Sequence, residues 1–199
     1  METDKLKSKT HVIQKYLKKN FSICYYPSSG FWDTKIVNLP FDVILLSDYI
    51  DCNRNRKNRV NTNESEIEAN LNILTKGMHI EIERNINKDE SYIVFEIDQK
   101  IFIYYFEDNR NVRNRLIEQG IKLDAFIIHN DGCMEGGNYE CVTNSEWSKE
   151  MEKVYKDNTI IVQDHNNRQY HPTEIKTYKR HDTSKNISSL LRIFSKKNP

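Results

Sequence analysis

A chain of 199 residues, 37% apolar and 30% charged, has material for one good core and reads as a polar globular protein, one domain over 1–199. Its net charge of +1 gives no global field, so nucleic acid is not an expected partner. No apolar run reaches membrane-spanning length, and the first residues lack the apolar centre of a signal peptide. The four cysteines hold no CxxC pair, so a reduced, cytoplasmic setting is expected.

In chain order, Val12, Ile13, Tyr16 and Leu17 share one helical face, which predicts a short amphipathic helix within 1–20. Residues 21–26 (FSICYY) read as the first strand, stopped by Pro27, Ser28, Ser29 and Gly30. Residues 41–47 (FDVILLS) read as the second, ending at Asp48 and Tyr49. Their connection is short for a parallel crossover, and residues 32–38 would have to supply it as a short helix or turn. A polar loop, 51–62, carries Arg54, Arg56, Lys57 and Arg59, which reads as a solvated face. The helix after it has Asn63 as cap, Glu66 at the capping-box position, Ile67, Leu71 and Leu74 inward, and Gly77 as its stop.

Residues 79–84 (HIEIER) and 91–97 (SYIVFEI) alternate like an antiparallel ribbon with one wet face. Residues 100–106 (KIFIYYF), after a tight turn at Asp98 and Gln99, are more apolar and read as a further sheet strand ending at Glu107 and Asp108. A helix with Val112 and Leu116 inward and Gly120 as its stop comes next. Residues 125–128 (AFII) then form a run suited to a strand covered on both faces. It breaks abruptly into a loop, 129–141, that holds three of the six glycines. Trp147, Met151 and Val154 mark another helix, closed at Asn158, before a buried strand over 159–163 ending at Asp164 and His165. Beyond the core of about 21–165, the extension 166–199 carries an alternating edge-strand segment, 174–180. It ends in a helix with Ile187, Leu190, Leu191 and Phe194 on one face.

The sum is an α/β chain: a single-domain, Rossmann-like, mostly parallel sheet with an inserted antiparallel ribbon. In such sheets ligands sit beyond the carboxyl ends of the strands. Here those ends carry Ser28, Ser29 and Gly30, then Asp48, Glu107 with Asp108, Asn130 with Asp131, and His165. One carboxylate after a strand is usually a turn former or a cap. Several at successive strand ends point to a shared site.

The order of elements resembles the Rossmann-like fold of class I S-adenosylmethionine-dependent methyltransferases over about residues 21–165. The resemblance implies S-adenosylmethionine as cofactor. Ser28, Ser29 and Gly30 would form the loop under it, Asp48 would take the ribose hydroxyls, and Glu107 or Asp108 would lie by the adenine. Asn130, Asp131 and Glu135 would face the methyl acceptor as catalytic candidates, with Asn138, Tyr139, Glu140 and His165 on the substrate side. The chain departs from the family in having one glycine in the first loop and no Asn/Asp-Pro-Pro-aromatic run after the fourth family strand.

Two other classes stay open. Asp48, Asp131 and Asp164, with Glu135 and Glu140, offer oxygen ligands to Mg²⁺, as a phosphoryl-transfer enzyme or nucleotide hydrolase requires. A zinc set of His129, Cys133, Cys141 and His165 matches no standard spacing. The third class is a non-catalytic interaction module whose loop at 136–140 meets a partner.

Overall fold

A computed structural model describes residues 12–27, 34–47, 64–86, 90–107, 109–128, 145–164, 178–181 and 191–196. They form one nine-stranded sheet, ordered β3-β4-β5-β2-β1-β6-β7-β9-β8. The strands are β1 Ile23–Pro27, β2 Val43–Ser47, β3 Ile80–Ile86, β4 Ser91–Ile97 and β5 Lys100–Tyr105, then β6 Leu123–Ile128, β7 Tyr155–Asp164, β8 Tyr178–His181 and β9 Leu191–Lys196. The central five, β5, β2, β1, β6 and β7, pair in parallel throughout. On one side β4 and β3 continue antiparallel, and on the other β9 runs against both β7 and β8. Seven strands therefore point one way, with β4 and β9 reversed.

The central strands are apolar on both faces because both faces are covered. Alternate residues feed two separate cores. Tyr25, Val43, Leu45, Ile103 and Tyr105 face α1 (Val12–Tyr16), α3 (Asn109–Glu118) and α4 (Ser145–Glu152), which contribute Val12, Ile13, Val112, Leu116 and Met151. Tyr26, Ile44, Leu46, Phe102 and Tyr104 face the other way, toward Ile36 of a 3-10 helix (Thr34–Asn38) and Leu71 of α2 (Glu64–Thr75). Each such side chain taken from water contributes roughly 1.5–3 kcal/mol. Phe95 and Phe102 stack on the second face with centroids 5.1 Å apart and planes 6° from parallel.

The winding reverses at β1. The connections from β1 to β2 and from β2 toward β5 place their helices on one face, and those from β5 to β6 and from β6 to β7 use the opposite face. The short β1–β2 crossover is made by the 3-10 helix, and the carbonyls of Val37 within it and of Leu39 just after it accept hydrogen bonds from Lys100 Nζ at 3.1 and 2.8 Å. The edge opposite the strand ends is tied by carboxylates. Asp42 accepts from the Ser22 N–H and hydroxyl at 2.7 Å, and Asp124 accepts from the Ile23 N–H at 2.8 Å and pairs with Lys156.

Two expectations are corrected. Asn158 does not close a helix, because α4 ends at Glu152 and Asn158 lies within β7. The β6–β7 register shifts there, from Leu123↔Tyr155 to Ala125↔Ile160. Thr159 holds this bulge: its hydroxyl donates to Leu123 O at 2.6 Å and accepts from the Lys156 N–H at 2.6 Å. The C-terminal segment is no helix from Leu191 onward but strand β9, set between β7 and β8. Its apolar residues fit either period over so short a run, and insertion between two strands gives it two hydrogen-bond ladders. Ile187 and Leu190 lie outside the described residues.

Candidate functional site

The five parallel strands end on one edge, at Pro27, Ser47, Tyr105, Ile128 and Asp164. The reversal at β1 leaves a switch point between β1 and β6 at this edge, where doubly wound sheets open a crevice for ligands. The loops expected to fill it follow directly in sequence. Ser28, Ser29 and Gly30 come after β1 and Asp48 after β2. Asn130, Asp131, Glu135, Asn138, Tyr139 and Glu140 come after β6, and His165 after β7. These residues and Asp108 lie outside the described residues.

Glu107 is described, and both its oxygens are engaged. Oε1 accepts from the Ser91 N–H at 2.7 Å, and Oε2 forms an ion pair with Arg115 of α3. Arg115 also lies 3.7 Å from Glu90 and places its guanidinium 5.7 Å from the centre of the Tyr105 ring. Burial works against the Arg115 charge, but the hydrogen bond and charge of Glu107 outweigh it and hold the guanidinium above its ordinary pKa. Burial, then the Glu90 charge, pushes the Tyr105 phenol well up. Together these groups fasten the turn between β5 and α3 to the start of β4.

On the other side of that turn lies a hydrogen-bond chain that the sequence did not announce. The Ser47 hydroxyl donates to Asn109 Oδ1 at 2.6 Å, and the Tyr25 hydroxyl lies 2.9 Å from Ser47 Oγ. A serine hydroxyl has one proton. With that proton on Asn109, Tyr25 O–H must be the donor to Ser47. Tyr25 and Ser47 are both 0% exposed and Asn109 is partly buried, so β1, β2 and the first residue of α3 are joined at the carboxyl edge of the core. The available signal was Ser47 itself, one polar residue closing the otherwise apolar strand VILLS.

Asp164 is the last residue of β7 and pairs with Leu191. Among the described residues no three His, Cys, Asp or Glu side chains gather as a metal site. The other members of the aspartate set and the four proposed zinc ligands lie outside those residues. Cys24 is a buried free thiol, its pKa pushed up by burial and then by the charge of Asp124. No helix among the described residues is long and apolar enough to cross a membrane.

No protein-family model matches this chain. No curated protein matches it either. Solved structures do match, among them the crystal structure of human methyltransferase-like protein 13 in complex with SAH. That structure is 7% identical, with 89% of this chain and 72% of that chain covered, at a TM-score of 0.47. Similarity of that size transfers no function. The Rossmann-like α/β class rests on the strand order itself: a parallel core β5-β2-β1-β6-β7 wound in both directions from β1, with antiparallel strands on either side.

Proposed function

We propose that this chain binds an adenosyl ligand of the S-adenosylmethionine type at the carboxyl edge of its sheet, and that it is methyltransferase-like if it is an enzyme. The observation that supports this reading is the reversal of winding at β1, a switch point between β1 and β6 of the kind at which doubly wound sheets bind ligands beyond their carboxyl ends. Ser28, Ser29 and Gly30 would lie under the ligand and Asp48 would hold the ribose. Glu107 has its oxygens committed to Ser91 and Arg115, so Asp108, next in sequence, is the acidic residue we assign to the adenine side. Asn130, Asp131 and Glu135 would line the acceptor side, with Asn138, Tyr139, Glu140 and His165 contacting the substrate.

S-adenosylmethionine, when bound, supplies an activated methyl group. The protein's own part in such a transfer is to hold the acceptor in line and exclude water. A cytoplasmic setting fits the absence of disulfide-type cysteine spacing.

The test is a thermal-shift and calorimetric titration of the whole chain with S-adenosylmethionine, S-adenosylhomocysteine, common nucleotides, Mg²⁺ and Mn²⁺. A ligand that binds only the folded state stabilises it by about 2.7 kcal/mol at a hundredfold excess over Kd. Stabilisation by the adenosyl compounds, lost in Asp48→Ala without loss of fold, is expected. Stabilisation by Mg²⁺ or nucleotide alone would replace this reading with the hydrolase, and silence throughout would replace it with an interaction module.

A further inference from the structure

Every residue of β2 is buried, and four of the five are apolar. The fifth, Ser47, is the last residue before the segment that begins with Asp48. A hydroxyl buried there needs partners, and it has two: Tyr25 of β1 donates to it, and it donates to Asn109 at the start of α3. Asn109 is in turn the residue after Asp108, and Glu107 on the near side of Asp108 is fixed by Ser91 and Arg115. The two acidic positions assigned to the ligand are thus each joined in sequence to one end of the same hydrogen bond, Ser47 before Asp48 and Asn109 after Asp108. The same hydroxyl of Ser47 sets the distance between those two ends.

We propose that Ser47 is a positioning residue of the ligand site, acting through Asn109, with Tyr25 directing its proton. The chain Tyr25 O–H to Ser47 O–H to Asn109 Oδ1 fixes the carboxyl end of β2 relative to the first turn of α3. It thereby holds the spacing that an adenosine moiety has to bridge between its ribose and its base. The inference rests on the adenosyl-ligand reading. It adds to that reading a determinant lying inside the sheet, away from the groups that would touch the ligand.

The experiment measures S-adenosylhomocysteine affinity by calorimetry on the full chain, alongside melting curves, at a temperature where every variant is folded. Wild type is measured first, then Ser47→Ala, Asn109→Ala and Asn109→Asp. We expect wild type to bind, Ser47→Ala and Asn109→Ala to bind at least tenfold more weakly while still folded, and Asn109→Asp to keep near-wild-type affinity because it retains the acceptor for the Ser47 proton. Should Ser47→Ala not fold, Asn109→Ala and Asn109→Asp decide, since the side chain of Asn109 sits at the helix start, outside the two cores. Wild-type binding with unaltered affinity in the folded alanine variants would overturn the positioning role and leave the adenosyl reading standing. No binding by wild type would overturn both.

Discussion

Glu83 shows how much one side chain can organise. It sits on β3, yet its Oε2 accepts from the Tyr16 hydroxyl of α1 at 2.7 Å and its Oε1 from the Tyr92 hydroxyl of β4 at 2.9 Å, with Lys15 as ion partner. The lysine is half exposed, at 52%, and an exposed pair of that kind contributes little. The phenols are partly buried and lose a charged acceptor if the carboxylate goes. We therefore expect Glu83→Gln to destabilise the fold by about 1–2 kcal/mol and Lys15→Ala by about 0.5 kcal/mol or less. Urea midpoints with unchanged m-values would measure both. Equal losses in the two variants would show that the ion pair, and not the two phenols, fastens α1 to the sheet. Ser47 poses the same question at the carboxyl edge, where a buried hydroxyl links Tyr25 of β1 to Asn109 at the start of α3.

At the scale of elements, the turn between β4 and β5 carries the simplest prediction. Asp98 and Gln99 both have left-handed backbones, with φ of 50° and 66°, the signature of a type I′ hairpin turn. Aspartate tolerates this conformation, whereas glutamine meets the usual steric cost. Gln99→Gly is expected to stabilise the protein by about 0.5–1 kcal/mol, read as a raised urea midpoint. Gly120, with φ of 63° after α3, makes the control. A methyl group there meets nothing within 4 Å, so Gly120→Ala should destabilise by about 1 kcal/mol through the backbone alone. A loss of stability in Gln99→Gly would mean that the glutamine side chain does more than occupy the turn. This hairpin, the buried central strands and the stops at Gly77 and Gly120 were legible in the sequence, because local periodicity and turn chemistry agree with the final fold. The β9 strand and the bulge at Thr159 were not. Their conformations are decided by neighbours distant in sequence, β7 with β8 in one case and the Leu123 carbonyl in the other. The candidate site was legible only as a set of strand ends. Nothing local reveals that Glu107 is consumed by Ser91 and Arg115, or that Ser47 reaches Asn109 sixty-two residues away.

For the whole molecule, the titrating groups predict a dome of stability against pH with a different set of residues on each limb. On the acid side, hydrogen bonds from the Ser22 hydroxyl and N–H lower the pKa of Asp42, and the hydrogen bond from Arg84 lowers that of Glu81. Burial pushes Glu83 up, but donors from Lys15, Tyr16 and Tyr92 outweigh it and hold it below its ordinary 4.5. A folded pKa below the unfolded one gives stability that is present above the unfolded value and lost as pH falls through the folded one. The acid limb therefore lies at and below the ordinary carboxylate values of 3.8 and 4.5. On the alkaline side the sign is reversed. Burial, then Glu83, pushes Tyr16 from 10.0 up to about 12, and burial and Glu83 raise Tyr92 as well. Burial also keeps the Cys24 thiol above its ordinary 9.0. Those contributions are complete below the unfolded values and disappear as pH rises from about 9 toward 12 and beyond. Glu83 belongs to both limbs, as the carboxylate that must stay charged and as the charge that keeps two phenols protonated. Melting temperatures from pH 3 to 11 should therefore show Glu83→Gln flattening both shoulders, while Tyr92→Phe relieves the alkaline one and, by removing one of the donors to Glu83, weakens the acid one less than Glu83→Gln does. A Glu83→Gln curve parallel to wild type across the whole range would remove Glu83 as the common element and leave burial alone to set the alkaline limb.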